Sequence, residues 1–149
     1  MKMIKSLVLS AAMAISLVPA VNAATAPTAC PAIPLIQKAG LAFVEKDNDN
    51  HMYIVAQINK YATTSMWAFA VLMDDTQATS KQDALNKAKD AMKTLSGSPE
   101  PTLIDEASEK DKQQWYCLYE NQYNYLTVSI TPISVSGNNF ATFMKAKKQ

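Results

Sequence analysis

WYCLYENQYNYLTVSI, residues 115–130, is the stretch on which the reading of this chain turns. Its second half, Leu126-Thr127-Val128-Ser129-Ile130, alternates apolar and polar residues. That period puts Leu126, Val128 and Ile130 on one face of a strand and Tyr125, Thr127 and Ser129 on the other. Its first half, Trp115 to Glu120, is rich in aromatics that favour strands. Glu120-Asn121-Gln122 lies between, and asparagine tolerates the backbone angles of tight turns. The stretch therefore predicts a β-hairpin, roughly 114–120 and 123–130, in which tyrosines can face one another across the strands. One role for Tyr116, Tyr119, Tyr123 and Tyr125 is an aromatic ladder that stiffens the hairpin. The other is a stacking platform on the outer face, for a flat ligand or a partner protein.

Upstream, the pattern repeats. Leu41-Ala42-Phe43-Val44 reads as a strand, and Asp47-Asn48-Asp49-Asn50 as a turn. Met52, Ile54, Ala56 and Ile58 line one face of a second strand. The acidic turn invites comparison with a calcium loop, but the sixth and twelfth positions counted from Asp47 hold Met52 and Ile58, not Gly and Glu. Ser65 to Met73 is apolar on both faces, the mark of a central strand covered on both sides. Ser80 to Ser96 reads as a helix. Ser80 and Asp83 resemble a capping box, Leu85, Ala88, Met92 and Leu95 form a stripe flanked by Ala84 and Ala91, and Gly97 stops it. Thr102 to Ala107 suggests another strand, and 109–114 a charged turn. Leu35 to Gly40 and Phe140 to Lys148 suggest short helices. The fold class expected is α+β: an antiparallel sheet of about five strands with one main helix on a face.

The ends of the chain speak of location. Lys2 and Lys5, the apolar run from Ser6 to Val18, and Val21-Asn22-Ala23 have the form of a cleaved signal peptide, residues 1–23. The apolar run is too short for a stable membrane span. Export to the periplasm or beyond is expected. An arm over 24–40, a globular domain over 41–132 and a C-terminal tail over 133–149 follow. Without Lys2 and Lys5 the chain keeps 12 lysines against 13 acidic residues and has no arginine. A near-neutral chain without arginine argues against nucleic acid as partner. Cys30 and Cys117 are expected to form one disulfide in an oxidising compartment. A redox-active pair is the alternative, but no Cys-x-x-Cys motif supports it.

The sequence carries no catalytic constellation. His51 is the single histidine, no nucleophile has a local motif around it, and one His with two bridged cysteines cannot build a zinc site. No glycine-rich phosphate loop is present. The expectation is no enzyme and no metal.

The early Cys30-Pro31, WAFAVLMDD at 67–75, the capped helix and WYCLYENQYNY at 115–125 resemble a small exported family from intracellular bacterial pathogens. Some of its members are labelled haemin-binding, and others are of unknown function. The resemblance implies haem as the one cofactor to consider, without assigning ligands. Aromatic rings stack on a porphyrin, lysines meet its carboxylates, and iron accepts His, Tyr, Met or Cys. Tyr119 or Tyr123 is the expected contributor ahead of His51, which sits at a polar turn. The leading expectation is an exported binding protein for haemin or another flat hydrophobic ligand. The alternative is a secreted or periplasmic protein-interaction module.

Overall fold

A computed structural model describes residues 25–104 and 113–133. The expected signal peptide, the charged stretch 105–112, the tail from 134 and the helix expected over Phe140 to Lys148 lie outside the described residues.

The chain folds as α1 (Ile33–Ala39), β1 (Phe43–Asp47), β2 (Met52–Asn59), β3 (Trp67–Asp74), α2 (Lys81–Lys93), β4 (Thr102–Leu103), β5 (Trp115–Tyr119) and β6 (Leu126–Thr131). The six strands form one antiparallel sheet in the order β1-β2-β3-β6-β5-β4. The architecture is α+β as expected, with six strands where about five were anticipated. The shortest strand is β4, which forms at the start of the strand suggested over Thr102 to Ala107 and pairs with Tyr116 and Trp115.

β3 is central, and its alternate residues fill two cores. Trp67, Phe69, Val71 and Met73 face the helices with Tyr53, Val55, Cys117 and Tyr119. Ala68, Ala70 and Leu72 face the other way with Ile54, Ala56, Val128 and Ile130. α2 lies on the first face. Ser80 caps it by accepting a hydrogen bond from the Asp83 amide, and Asp83 in turn accepts from the Thr79 amide. The helix ends at Thr94, three residues before Gly97, because the Thr94 amide and hydroxyl both donate to the Ala91 carbonyl and close the last turn early. Its buried stripe is Ala84, Ala88, Ala91 and Met92. Leu85 packs only at the margin. Small helix residues bring the helix backbone close to a sheet face that carries Tyr, Trp and Phe, so large meets small across the layer.

Both faces of β6 are buried, which the alternation did not suggest. Two of the three hydroxyls on the helix side are satisfied locally, Thr127 donating to the Tyr119 carbonyl at 2.6 Å and Thr131 to the Met66 carbonyl at 2.7 Å, while the Ser129 hydroxyl is buried with no hydrogen-bond partner. Satisfied hydroxyls are tolerated in a core, where an unpaired one is costly. Cys30 and Cys117 are joined, with Cα atoms 5.9 Å apart and a sequence separation of 87. The bridge holds the N-terminal arm against β5.

Candidate ligand-binding site

The expected hairpin forms, but its tyrosines do not face one another. Tyr116 pairs with Ile130 and Tyr119 with Thr127. Consecutive strand residues point to opposite faces, so the two part company. Tyr119 enters the helix-side core beside Phe69, ring centroids 5.9 Å apart, and its hydroxyl donates to the Pro31 carbonyl at 2.7 Å. Burial pushes the Tyr119 phenol up to about 12, with the nearby Ser129 hydroxyl offsetting part of the rise. A phenol that is buried, protonated and already bonded is a poor metal ligand or ligand-facing group. Tyr116 is half-buried and packs on the opposite face.

Tyr123 and Tyr125 are outside the strands altogether, in the turn between β5 and β6. Their rings stack, 5.7 Å between centroids and 13° between planes. Asn121 builds this turn. Its Oδ1 accepts from the Tyr123 and Tyr125 amides at 3.1 and 3.2 Å, and its Nδ2 donates to the Tyr125 carbonyl at 2.7 Å. A second bond, at 3.5 Å, reaches the Thr127 hydroxyl. The Asn121 side chain thus takes the place of ladder pairing across the turn. Asn124 adopts a left-handed φ of 56°, which asparagine accepts more readily than most residues. The turn is docked on the end of α2: Ser96 and Glu120 exchange two backbone hydrogen bonds, and the Gln122 amide donates to the Thr94 hydroxyl.

This docking sets the tyrosine pair beside the last turn of α2. Lys93 lies close enough to Tyr123 to feel it, although Asp90, 2.9 Å away, is the main reason its ammonium pKa is raised. Lys93 also lines an open groove of about 630 Å³ with Lys89, Met92, Gln37, Gly40 and Leu41. Gly40 adopts a φ of 75° where α1 turns into the approach to β1, so the groove wall there has no side chain. Lys93 is thus the link between the parallel rings and a groove that also carries Lys89 and Met92.

His51 stands apart from that cluster. It is exposed, in a left-handed conformation at the β1–β2 turn, with Nδ1 3.5 Å from Asp75. The register places it at the same end of the sheet as the tyrosine turn, with β3 between β2 and β6, a separation of about 10 Å in strand spacings. The Asp47 carboxylate accepts from the amides of Asp49 and Asn50 and from the Asn50 side chain, so it closes the turn on itself. Among the described residues, no group of three or more His, Cys, Asp or Glu is placed to hold a metal ion.

A second groove, about 680 Å³, lies at the opposite end of the sheet, lined by Pro27, Ile58, Met66, Trp115, Pro132 and Ile133 among others. It is the larger of the two, but among the described residues none that line it carries a charge and the one aromatic, Trp115, is buried. The groove along α2 offers two lysines, one of which, Lys93, also interacts with Tyr123.

A family model described as a domain of unknown function, DUF4949, matches residues 29–148. The chain belongs to the DUF4949 family. The DUF4949 match begins just before the bridged Cys30 and takes in the whole sheet, both helices and the tyrosine turn. No curated protein and no solved structure matches the chain. Among the described residues of this DUF4949 protein, no helix is long and apolar enough to cross a membrane.

Neither Asn121 nor Lys89 and Lys93 stood out in the sequence. The one signal for Asn121 is its place between two strand patterns. The lysines are indistinguishable from any solvated helix face until the turn docks beside them.

Proposed function

We propose that this DUF4949 protein is an exported, non-enzymatic binding protein whose ligand is flat and largely apolar with an anionic edge, haemin being the specific case. The observation that carries the reading is the stacked Tyr123–Tyr125 pair, with Tyr123 41% exposed, held by the Asn121 clamp beside a groove edged by Lys89 and Lys93. Tyrosine rings present an apolar face at little conformational cost, and their surroundings here hold them parallel before any ligand arrives. Lysines at the groove edge suit carboxylates. For an iron porphyrin, Tyr123 and Met92 are the donors at hand, and Tyr119 is withdrawn because its hydroxyl is committed to Pro31. The export reading draws on residues 1–23 and on the Cys30–Cys117 bridge, which suits an oxidising compartment. The non-enzymatic reading draws on the sequence, with its single histidine and both cysteines paired. Titrating haemin into the mature protein tests the proposal: a saturable one-to-one Soret change supports it, and a spectrum equal to that of haemin with an unrelated protein refutes it.

A protein-interaction module is the second reading, favoured by one observation. Ile58 and Met66, exposed at 41% and 43%, edge the apolar groove at the far end of the sheet. A partner captured from envelope or host extract and lost on Met66→Asp, with no haemin response, selects this reading over the first.

A further inference from the structure

Both cysteines of the chain are spent in the Cys30–Cys117 bridge, so no thiol is left to meet an oxidant. Sulfur oxidation then falls to methionine, whose thioether takes up one oxygen to give the sulfoxide. The described residues hold four methionines. Met52, Met73 and Met92 are 6%, 1% and 6% exposed, inside the two cores. Met66 is 43% exposed, the most of any large apolar side chain among the described residues.

We propose that Met66 is a site of reversible oxidation, and that its sulfoxide turns the groove it edges from apolar to polar. The second half of this rests on the reading of that groove as an apolar binding surface. The fold holds Met66 out. It is the last residue of the loop between β2 and β3, and Trp67, the next residue, is fully buried. The loop braces itself: the Tyr61 amide donates to Asn59 Oδ1 at 3.1 Å, and Trp67 Nε1 donates to Thr63 Oγ1 at 3.0 Å. From β6, the Thr131 hydroxyl fixes the Met66 carbonyl. The backbone is thus anchored, and the Met66 side chain edges the groove with Ile58, itself 41% exposed.

The reaction needs one co-reactant, a peroxide. A lone pair on Met66 Sδ attacks one oxygen of hydrogen peroxide, and the S–O bond forms as the O–O bond breaks. Sulfur gives up two electrons to the peroxide. The proton on the transferred oxygen passes to the leaving hydroxide, so the products are the sulfoxide and water. Peroxide must reach the sulfur, which the exposure of Met66 permits and the burial of Met52, Met73 and Met92 opposes. The product is polar where the thioether was apolar, and a sulfoxide reductase reverses the change. The described residues lining this groove carry no charge, so a sulfoxide oxygen alters its character more than it would alter a charged rim. The groove along α2 escapes. Its methionine, Met92, is buried, so the two grooves part in their response to one oxidant.

Treating the mature protein with a small excess of hydrogen peroxide and mapping its peptides over time tests the site. The Met66 peptide should gain the mass of one oxygen atom at least about fivefold faster than the peptides of Met52, Met73 and Met92. Equal rates, or Met92 oxidised first, would overturn the assignment. Protein oxidised at Met66 alone, freed of peroxide, is then compared with the parent and with Met66→Leu in its uptake of Nile red, a neutral apolar dye. Parent and Met66→Leu should take up the dye alike, and the oxidised parent several-fold less. A methionine sulfoxide reductase should restore uptake, and Met66→Leu should keep its uptake through peroxide treatment. Undiminished uptake by the oxidised parent, or a loss in peroxide-treated Met66→Leu, would overturn the switch while leaving the groove. No uptake by the untreated parent would overturn it through the apolar-groove reading itself.

Discussion

Replacing Asn121 by alanine should unlatch the turn that presents Tyr123 and Tyr125. Asn121 is only 8% exposed and makes three hydrogen bonds of 2.7 to 3.2 Å and a fourth at 3.5 Å. A typical hydrogen bond contributes about 0.5–1.5 kcal/mol net, and the fourth is at the limit of useful distance. The partners differ in what they lose. Tyr123 is exposed, so water can replace the bond to its amide. Tyr125 is half-buried, and its amide and carbonyl are left short of partners. The sum is about 2–3 kcal/mol. For a domain of this size that lowers the melting temperature by roughly 6–15 °C. Asn121→Asp keeps the acceptor for the two amides and loses the donor, so it should fall about midway. Thermal unfolding followed by near-ultraviolet circular dichroism reads both quantities, because stacked tyrosines contribute to that signal while the sheet dominates the far ultraviolet. An Asn121→Ala protein within about 0.5 kcal/mol of the parent, with its tyrosine signal intact, would show that the turn holds itself and that the clamp argument is wrong.

Protein isolated from its own compartment should show no free thiol before reduction, and reduction should lower stability by at most about 4–5 kcal/mol, the chain-entropy value for a loop of 87 residues; two titratable thiols would contradict the bridge. Ala88→Leu should cost about 1–3 kcal/mol by forcing the helix off the sheet, and Leu85→Ala less than the 2–5 kcal/mol of a fully buried leucine, measured by urea unfolding; the reverse order would move the packed stripe of α2. Tyr119 has its phenol raised from 10 to about 12 in the fold, so its contribution to stability is fully present below pH 10 and is lost as pH rises toward 12, by roughly 2–3 kcal/mol at most. Tyr119→Phe should flatten that alkaline decline and cost about 1 kcal/mol at neutral pH through the bond to Pro31, and an unchanged alkaline profile would argue against its burial.

Much of the fold was legible because its signals are local. The doubly apolar run at 67–73 became the central strand, and Ser80 with Asp83 became the helix cap. The hairpin also formed close to its expected bounds. The orientation of its tyrosines was less accessible, since period-two counting gives two faces without saying which is inward. Cys117 held the missing signal: a bridge to the N-terminal arm puts it on the face the arm covers, and Tyr119, two residues on, must share that face. The Thr127-Ser129-Thr131 face looked like a solvent face because hydroxyls usually are outside. Its burial is tolerated because Thr127 finds the Tyr119 carbonyl and Thr131 the Met66 carbonyl, with only the Ser129 hydroxyl left unpaired, and these partners are brought up by the tertiary fold, which no window of sequence contains. The tyrosine site depends on a turn docking against a helix end from which it is separated by 28 residues in sequence, so its lysines and its rings meet only in three dimensions.

The central claim is that the Tyr123–Tyr125 pair, and not Tyr119 or His51, receives a flat anionic ligand. Its most direct measurement is the dissociation constant for haemin of the mature protein beside its Tyr123→Ala, Tyr119→Phe and His51→Ala variants, read from the Soret band. Losing a stacked ring should weaken binding by about 1.4 kcal/mol, or tenfold. The account predicts that loss for Tyr123→Ala, with Tyr119→Phe and His51→Ala unchanged. Equal affinity in Tyr123→Ala and parent, or a loss confined to His51→Ala, would contradict it.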